Sequence, residues 1–307
     1  MAMTIGYGKR QIAVYRTYAR PLRGITVIPE STFSGRDNRL FAAEIDVEAF
    51  GDNFIPAYTQ GDNTNIVATD SMKNFVLRHA LTYDGATLEG FLALLGQEFG
   101  AAYPVLQDLR LTGRELPFPP APIAAGDGTA SVSEVLFSRS RDDYATAWLA
   151  YQVRAGQTVA TDHECGRVGL QLIKITGSSF ANFLRDAYTT MPEQVDRPLF
   201  IHLDVYWTYA DVADAVAADV RRYVAAEQVR DLVQAVFHQF VSKSIQHLVH
   251  EMGMQLLERF PQLAQVRFRA ENRLWDRSGV ADDGRTKVYI DPRPPYGAIT
   301  LTLTRGS

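Results

Sequence analysis

Twice along this chain, two strand-like stretches lead into two helix-like stretches and then into two further strand-like stretches. In the first half, residues 12–18 and 39–50 alternate apolar and polar side chains as half-buried strands do, most clearly in Glu44-Ile-Asp-Val-Glu48. Residues 71–81 and 87–100 carry helical spacing, the second with Leu88, Phe91, Leu92 and Leu95 on one face. The Pro-rich residues 116–123 and the Gly126-Asp127-Gly128 that follows predict a surface loop, after which residues 130–152 return to strand composition. The order recurs without obvious sequence identity: 169–176 and 200–209 as strands, 210–222 and 228–260 as helical segments, 266–274 and 286–304 as closing strands. Runs of strands around paired helices, rather than strict strand and helix alternation, favour an α+β fold with antiparallel sheets over a doubly wound one. The repeat sets a boundary near residue 157, giving units 1–157 and 158–307.

With 307 residues and 46% hydrophobic content, the chain can bury the core of two ordinary domains. Its net charge of -4 supplies no electrostatic footprint for nucleic acid. No apolar run reaches the roughly 18 residues of a membrane span, and residues 1–10 lack the apolar stretch of a signal peptide. A cytoplasmic protein with neither membrane nor nucleic-acid partner is expected. The single Cys165 rules out an internal disulfide and leaves little for a thiolate metal cluster.

Chemistry concentrates in Phe180-Ala-Asn-Phe-Leu-Arg-Asp-Ala-Tyr-Thr-Thr-Met-Pro-Glu-Gln-Val-Asp-Arg197, a polar segment that fits neither helix nor strand spacing. Phe180 offers a stacking face worth about 0.5–1.5 kcal/mol to a flat heterocycle. Arg197 offers a planar fork of donors for the carbonyl edge of the same ring, worth about 1.5–3 kcal/mol. Taken alone, the pair is also compatible with a buried Phe and a surface Arg. Nearer the N-terminus, Tyr7-Gly-Lys9 precedes the first strand, and residues 61–74 join the second strand to the first helix. Thr69, Asp70 and Ser71 stand where that helix should start, so they read either as caps or as part of an anion site at exposed amides. A lone Lys such as Lys9 is ordinarily a solvated charge. Held beside a Thr hydroxyl in a dry pocket, it can lose its proton and serve as a base.

Together these stretches resemble the urate oxidase (uricase) family, of the tunnelling-fold class. The resemblance runs from Tyr7 to Arg305 and is carried by Tyr7-Gly-Lys9, Gly61-Asp-Asn63, Ala68-Thr-Asp-Ser71, Lys73-Asn74, Phe183-Leu-Arg-Asp186, Tyr188-Thr-Thr190, Asp196-Arg197 and Pro295-Tyr-Gly297. It implies that each half is a ββααββ unit, that chains assemble as a homotetramer around a tunnel, and that active sites lie at subunit interfaces. It further implies that Phe180 stacks on a purine-like substrate while Arg197 and Gln246 grip its pyrimidine edge, assisted by the Ile245 backbone N–H. Thr69 and Asp70 of a neighbouring subunit would meet the five-membered ring, Lys9 would activate Thr69, and Asn272 would face the oxygen or water site. The reaction implied is the oxidation of urate by O2 to 5-hydroxyisourate and hydrogen peroxide. No metal or flavin is required, because an electron-rich urate anion can itself reduce O2 once it is oriented and shielded from bulk water.

One departure stands out. Where the family pattern runs Asn-Lys-His, this chain has Asn272-Arg-Leu274, so a hydrocarbon replaces the relay histidine. Loss of a general acid/base commonly costs about 10²- to 10⁴-fold. Three explanations stay open: another group supplies the proton path, the substrate is a related heterocycle, or the protein binds a purine without efficient turnover. His247 and His250 share a helix face and read as packing or surface residues. A zinc-dependent enzyme is disfavoured, because His163 and Cys165 are a weak ligand pair.

Overall fold

The computed structural model describes residues 3–124, 126, 128–139, 141–154 and 157–306. Asp127 of the expected loop, Met1 and Ala2 of the N-terminal stretch, and residues 155–156 beside the expected boundary lie outside the described residues. In chain order the elements are β1 (Gly6–Thr17), β2 (Leu40–Phe50), α1 (Ile55–Thr59), α2 (Thr69–Thr82), α3 (Leu88–Ala102), β3 (Asp108–Glu115), β4 (Pro120–Ala124), β5 (Ala130–Phe137) and β6 (Tyr144–Arg154). There follow β7 (Gln157–Lys174), β8 (Leu199–Tyr209), α4 (Val212–Ala215), α5 (Ala226–Gln239), α6 (Ile245–Arg259), β9 (Leu263–Asn272), β10 (Asp276–Val280), β11 (Lys287–Ile290) and β12 (Gly297–Thr304). The pairs β1–β2, β2–β3, β3–β6, β9–β12, β4–β5 and β10–β11 are all antiparallel, the α+β arrangement expected from the sequence.

The chain forms two compact units, one of Met1–Val27, Ser34–Gly166 and Thr208–Val224, the other of Ile28–Phe33, Arg167–Trp207 and Ala225–Ser307. Strands β7 and β8 contribute to both. In the first unit the strand order is β1-β2-β3-β6-β7. Helix α2 packs on β1, and α3 packs on β3 and β6. Strict alternation along β2 sends Ile45, Val47 and Ala49 into the core, while Glu44, Asp46 and Glu48 stay half-buried on the opposite face. The α3 stripe read from the sequence is buried, with Phe91, Leu92 and Leu95 sealed from solvent. Each such side chain contributes about 1.5–3 kcal/mol.

In the second unit the order is β7-β8-β9-β12, with α6 lying on β9 and β12 and α5 lying on α6. Leu199, Ile201, Leu203 and Val205 of β8 are buried, as are Leu248, Val249, Met252 and Leu256 of α6. Among the described residues no helix is long and apolar enough to cross a membrane.

Several segments differ from the sequence-based expectation, each for a local reason. The Pro-rich segment is not all loop: Pro120–Ala124 pairs with β5, and its prolines, which lack ladder donors, are tolerated in a two-stranded ribbon. Of residues 210–222 only Val212–Ala215 is helical, because Ala217 turns into the left-handed region at φ 58° and ends it. Residues 228–260 split into α5 and α6. Lys174 Nζ donates to the Phe237 and Phe240 carbonyls at the end of α5 (2.9 and 3.0 Å), and Ser244 caps the start of α6. Residues 286–304 likewise split at 291–296, where Pro292, Pro294 and Pro295 cannot donate to a ladder.

Candidate functional site

Lys9 stands beside the irregularity of β1. Lys9 faces Val47 and Ile12 faces Ile45, so Arg10 and Gln11 together oppose Asp46 alone. Gln11 adopts φ 59°, and its N–H donates to Asp46 Oδ1 at 2.6 Å. Residues directly opposed in an antiparallel pair share a face. The extra residue therefore moves Lys9 from the polar face of Glu48 to the helix-covered face of Val47. Gly8 permits this close passage: a Cβ there would fall 1.9 Å from the Val47 carbonyl oxygen.

The Tyr7 hydroxyl accepts the Val67 N–H at 2.8 Å, and its ring meets Phe54 edge-on at 5.0 Å. These contacts tie β1 to the loop that ends at α2. Helix α2 starts at Thr69, but its N-cap is Ala68, which has no side chain to serve as a cap. The capping alternative for Thr69, Asp70 and Ser71 therefore fails, and the first-turn amides keep no side-chain cap. Asp70 instead accepts from Lys73 Nζ (2.6 Å) and Asn74 Nδ2 (2.9 Å). Its carboxyl is held below the ordinary range, first by Lys73 and then by Asn74 and the charge of Lys9. Lys9, Thr69 and Asp70 thus occupy one corner of the first unit.

The second group forms where residues 177–197 leave the sheet and return. Phe180 and Gln194 exchange backbone hydrogen bonds at 2.7 and 2.8 Å, closing a loop whose interior is organised by side chains. Asp186 Oδ1 accepts from the Tyr188 N–H and the Thr189 hydroxyl, both at 2.9 Å. Asp196 accepts from the Gly177 N–H at 2.8 Å and from the Thr176 hydroxyl. No periodic pattern could encode such an element, which explains why it fits neither helix nor strand spacing. Phe180 stacks on Phe183 at 5.0 Å with 12° between the planes.

Arg197 is 8% exposed, its Nε has no hydrogen-bond partner, and it makes no ion pair among the described residues. Burial lowers its pKa, a mark of a desolvated charge. The Arg197 N–H donates to the Ser178 carbonyl (2.9 Å), and Ser178 bridges to Ser242, three residues before α6. Ser244 takes the His247 N–H at 3.0 Å. The amides of Ile245 and Gln246 lie ahead of that bond, in the turn where helix geometry provides no acceptor. Ile245 is buried and Gln246 exposed. Phe180, Arg197, Ile245 and Gln246 are thus joined within the second unit through Ser178 and Ser242, two residues the sequence did not single out. Their signal was unreadable locally, since 64 residues separate them.

Asn272 ends β9 opposite Gly297, and its Oδ1 is also buried without a partner. Leu274 lies beyond the strand and is 42% exposed. Between them, Arg273 donates its N–H to the Phe200 carbonyl (3.0 Å), pairs with Glu271 at 2.8 Å and covers the Tyr296 ring. His247 packs edge-on against Phe240. In the first unit, His163 Nε2 accepts the Tyr209 N–H at 3.0 Å, and burial pushes the Cys165 thiol pKa up, so both read as structural.

A family model described as Uricase matches residues 163–300. The uricase of Haloferax volcanii is 44% identical over 303 residues, covering 98% of each chain. The chain belongs to the uricase family. The uric acid degradation bifunctional protein PucL of Bacillus subtilis is 44% identical over 307 residues, 99% of this chain. The crystal structure of a uricase from Bacillus fastidious superimposes with a TM-score of 0.95 at 41% identity, covering 99% of this chain and 94% of that one. The chain spans 62% and 60% of the length of the two bifunctional relatives it matches. Uricase membership fixes the fold, and each of the two units of this uricase-family chain carries one group of candidate residues.

Proposed function

We propose that this chain oxidises urate with molecular oxygen, giving 5-hydroxyisourate and hydrogen peroxide. The observation that carries this reading is Arg197, a buried guanidinium with an unpartnered Nε beside the Phe180 ring. A desolvated cation without a counter-anion is costly. A planar anion that stacks on Phe180 and presents carbonyl oxygens to Arg197 relieves that cost, and urate is such an anion.

In this reading Arg197 and Gln246 hold the pyrimidine edge, the Ile245 N–H adds a donor, and Asn272 faces the oxygen or water site with its free Oδ1. Lys9 activates the Thr69 hydroxyl, and Thr69 and Asp70 meet the five-membered ring. The electron pair that leaves the ring passes to O2, which takes up protons as hydrogen peroxide, while water delivers the hydroxyl at C5. Because the urate anion is itself the reductant, the protein has to orient it, move protons and exclude bulk water, and no cofactor enters. Leu274 leaves the relay without the family's histidine, so in this reading another group supplies the proton path or turnover is slow.

Lys9, Thr69 and Asp70 lie in one unit and the clamp in the other, which suits a site completed by a neighbouring copy in a homotetramer. The element order supports a division into ββααββ units at 1–157 and 158–307: β1, β2, α2, α3, β3, β6, then β7, β8, α5, α6, β9, β12. A cytoplasmic location is the setting proposed for this activity. Oxygen uptake measured against a panel of purines tests the assignment: urate should drive uptake where xanthine and hypoxanthine do not. Uptake with none of them, or equally with all, would reject it.

A further inference from the structure

We propose that the buried Ser178–Ser242 pair is a latch that sets the spacing between the two jaws of the clamp, Arg197 and the first turn of α6. The inference rests on the urate reading of that clamp. Ser178 and Ser242 are 1% and 0% exposed, and the Ser242 hydroxyl donates to the Ser178 hydroxyl at 3.2 Å. Their backbones run as a parallel bridge, with the Ser179 N–H donating to the Ser242 carbonyl at 2.8 Å. On one side, the Ser178 carbonyl accepts the Arg197 N–H at 2.9 Å, and Phe180 follows two residues on. On the other, Ser244 caps α6 two residues after Ser242, placing Ile245 and Gln246 in the first turn.

Both jaws stand on irregular backbone, and between them there is one isolated parallel bridge rather than a helix or an extended ladder. The Ser178–Ser242 hydroxyl bond adds a buried side-chain crosslink to the bonds that the Ser179 N–H and hydroxyl donate to the Ser242 carbonyl. A buried hydroxyl needs a partner, and here each serine is a partner for the other. Both serines are sealed from solvent, so they act as positioning residues.

The test compares Ser242→Ala, Ser178→Ala and the double variant, reading steady-state constants with urate, thermal midpoint, and hydrogen exchange at the Ser179 and Arg197 amides. Each single variant should raise KM for urate by about ten-fold while kcat stays within about two-fold, because ground-state and transition-state binding are lost together. Exchange at the two amides should quicken while that of Leu248 to Met252 in α6 does not. The double variant distinguishes a latch from a merely structural pair. Removing both hydroxyls leaves no orphan, so the thermal midpoint should recover towards that of the parent, yet KM should stay raised. Should either alanine variant fail to fold, Ser242→Cys, which keeps the volume and weakens the bond, reads the same outcome.

With a parent that turns over urate, an unchanged KM in the single variants, or a KM that recovers together with the thermal midpoint in the double variant, overturns the latch alone. A parent with no affinity for urate overturns the functional reading beneath it. The exchange arm needs no ligand, and amides that do not respond overturn the latch whatever the substrate.

Discussion

The Arg197 guanidinium carbon lies 5.4 Å from the centroid of the Phe180 ring. Such a contact contributes about 0.5–1 kcal/mol at exposed sites and about 2 when desolvated. That is too little to offset the burial of a full charge, for which the penalty is several kcal/mol. On the proposed reading, an anion held by Arg197 offsets that cost.

Arg197→Ala should therefore weaken urate binding by about 1.5–3 kcal/mol, roughly 10- to 150-fold in Kd, since a charge-assisted fork is lost and ring oxygens are left unpaired. Calorimetry under anaerobic conditions reads this without turnover. Unchanged affinity would remove Arg197 from the pocket.

Thr69 and Arg197 lie in different units, and the proposed site takes one of them from a neighbouring copy. Co-assembled Thr69→Ala and Arg197→Ala chains, assayed at low urate where each alone should give little turnover, should then regain it at interfaces that combine two intact half-sites. No recovery in verified mixed oligomers would put each site within a single chain.

The sequence disclosed periodic features and concealed aperiodic ones. The α3 stripe of Phe91, Leu92 and Leu95 and the alternation along β2 were legible because burial imposes a period on them. The break at Ala217 and the Ser178–Ser242 bridge were not, since each depends on backbone or on partners distant along the chain. Lys9 illustrates the limit most clearly. Its identity came from Tyr7-Gly-Lys9, but its face is set by a bulge at Arg10 and Gln11 that no alternation rule contains.

Leu274→His should raise urate turnover by about ten-fold or more, with little change in affinity, by restoring a titratable group to the relay. Stopped-flow rates at saturating urate check it. A parent already fast on urate and slowed by the substitution, while still folded, would show that another group carries the proton.

His163 makes the stability of the first unit depend on pH. Desolvation lowers its pKa below the ordinary 6.5, despite the nearby carboxylates of Asp162, Asp211 and Glu164. Below that value the unfolded chain takes up a proton that the folded chain resists. The contribution is present above pH 6.5 and is lost as the pH falls through the depressed folded value, with no further change below it. Urea midpoints between about pH 8 and about pH 5 should fall less steeply in His163→Gln than in the parent. Equal slopes would place the titration elsewhere.

The central claim is that urate itself reduces O2 in a site built by Arg197, Phe180 and Gln246 together with Thr69 and Lys9. The most direct measurement is an aerobic assay of purified, metal-stripped protein that follows loss of urate absorbance and formation of hydrogen peroxide in the same sample. The two signals should change together, one peroxide formed for each urate consumed, and both should be lost in Arg197→Ala at low urate. Tight urate binding with neither signal, or turnover that returns only when a metal is added back, would contradict it.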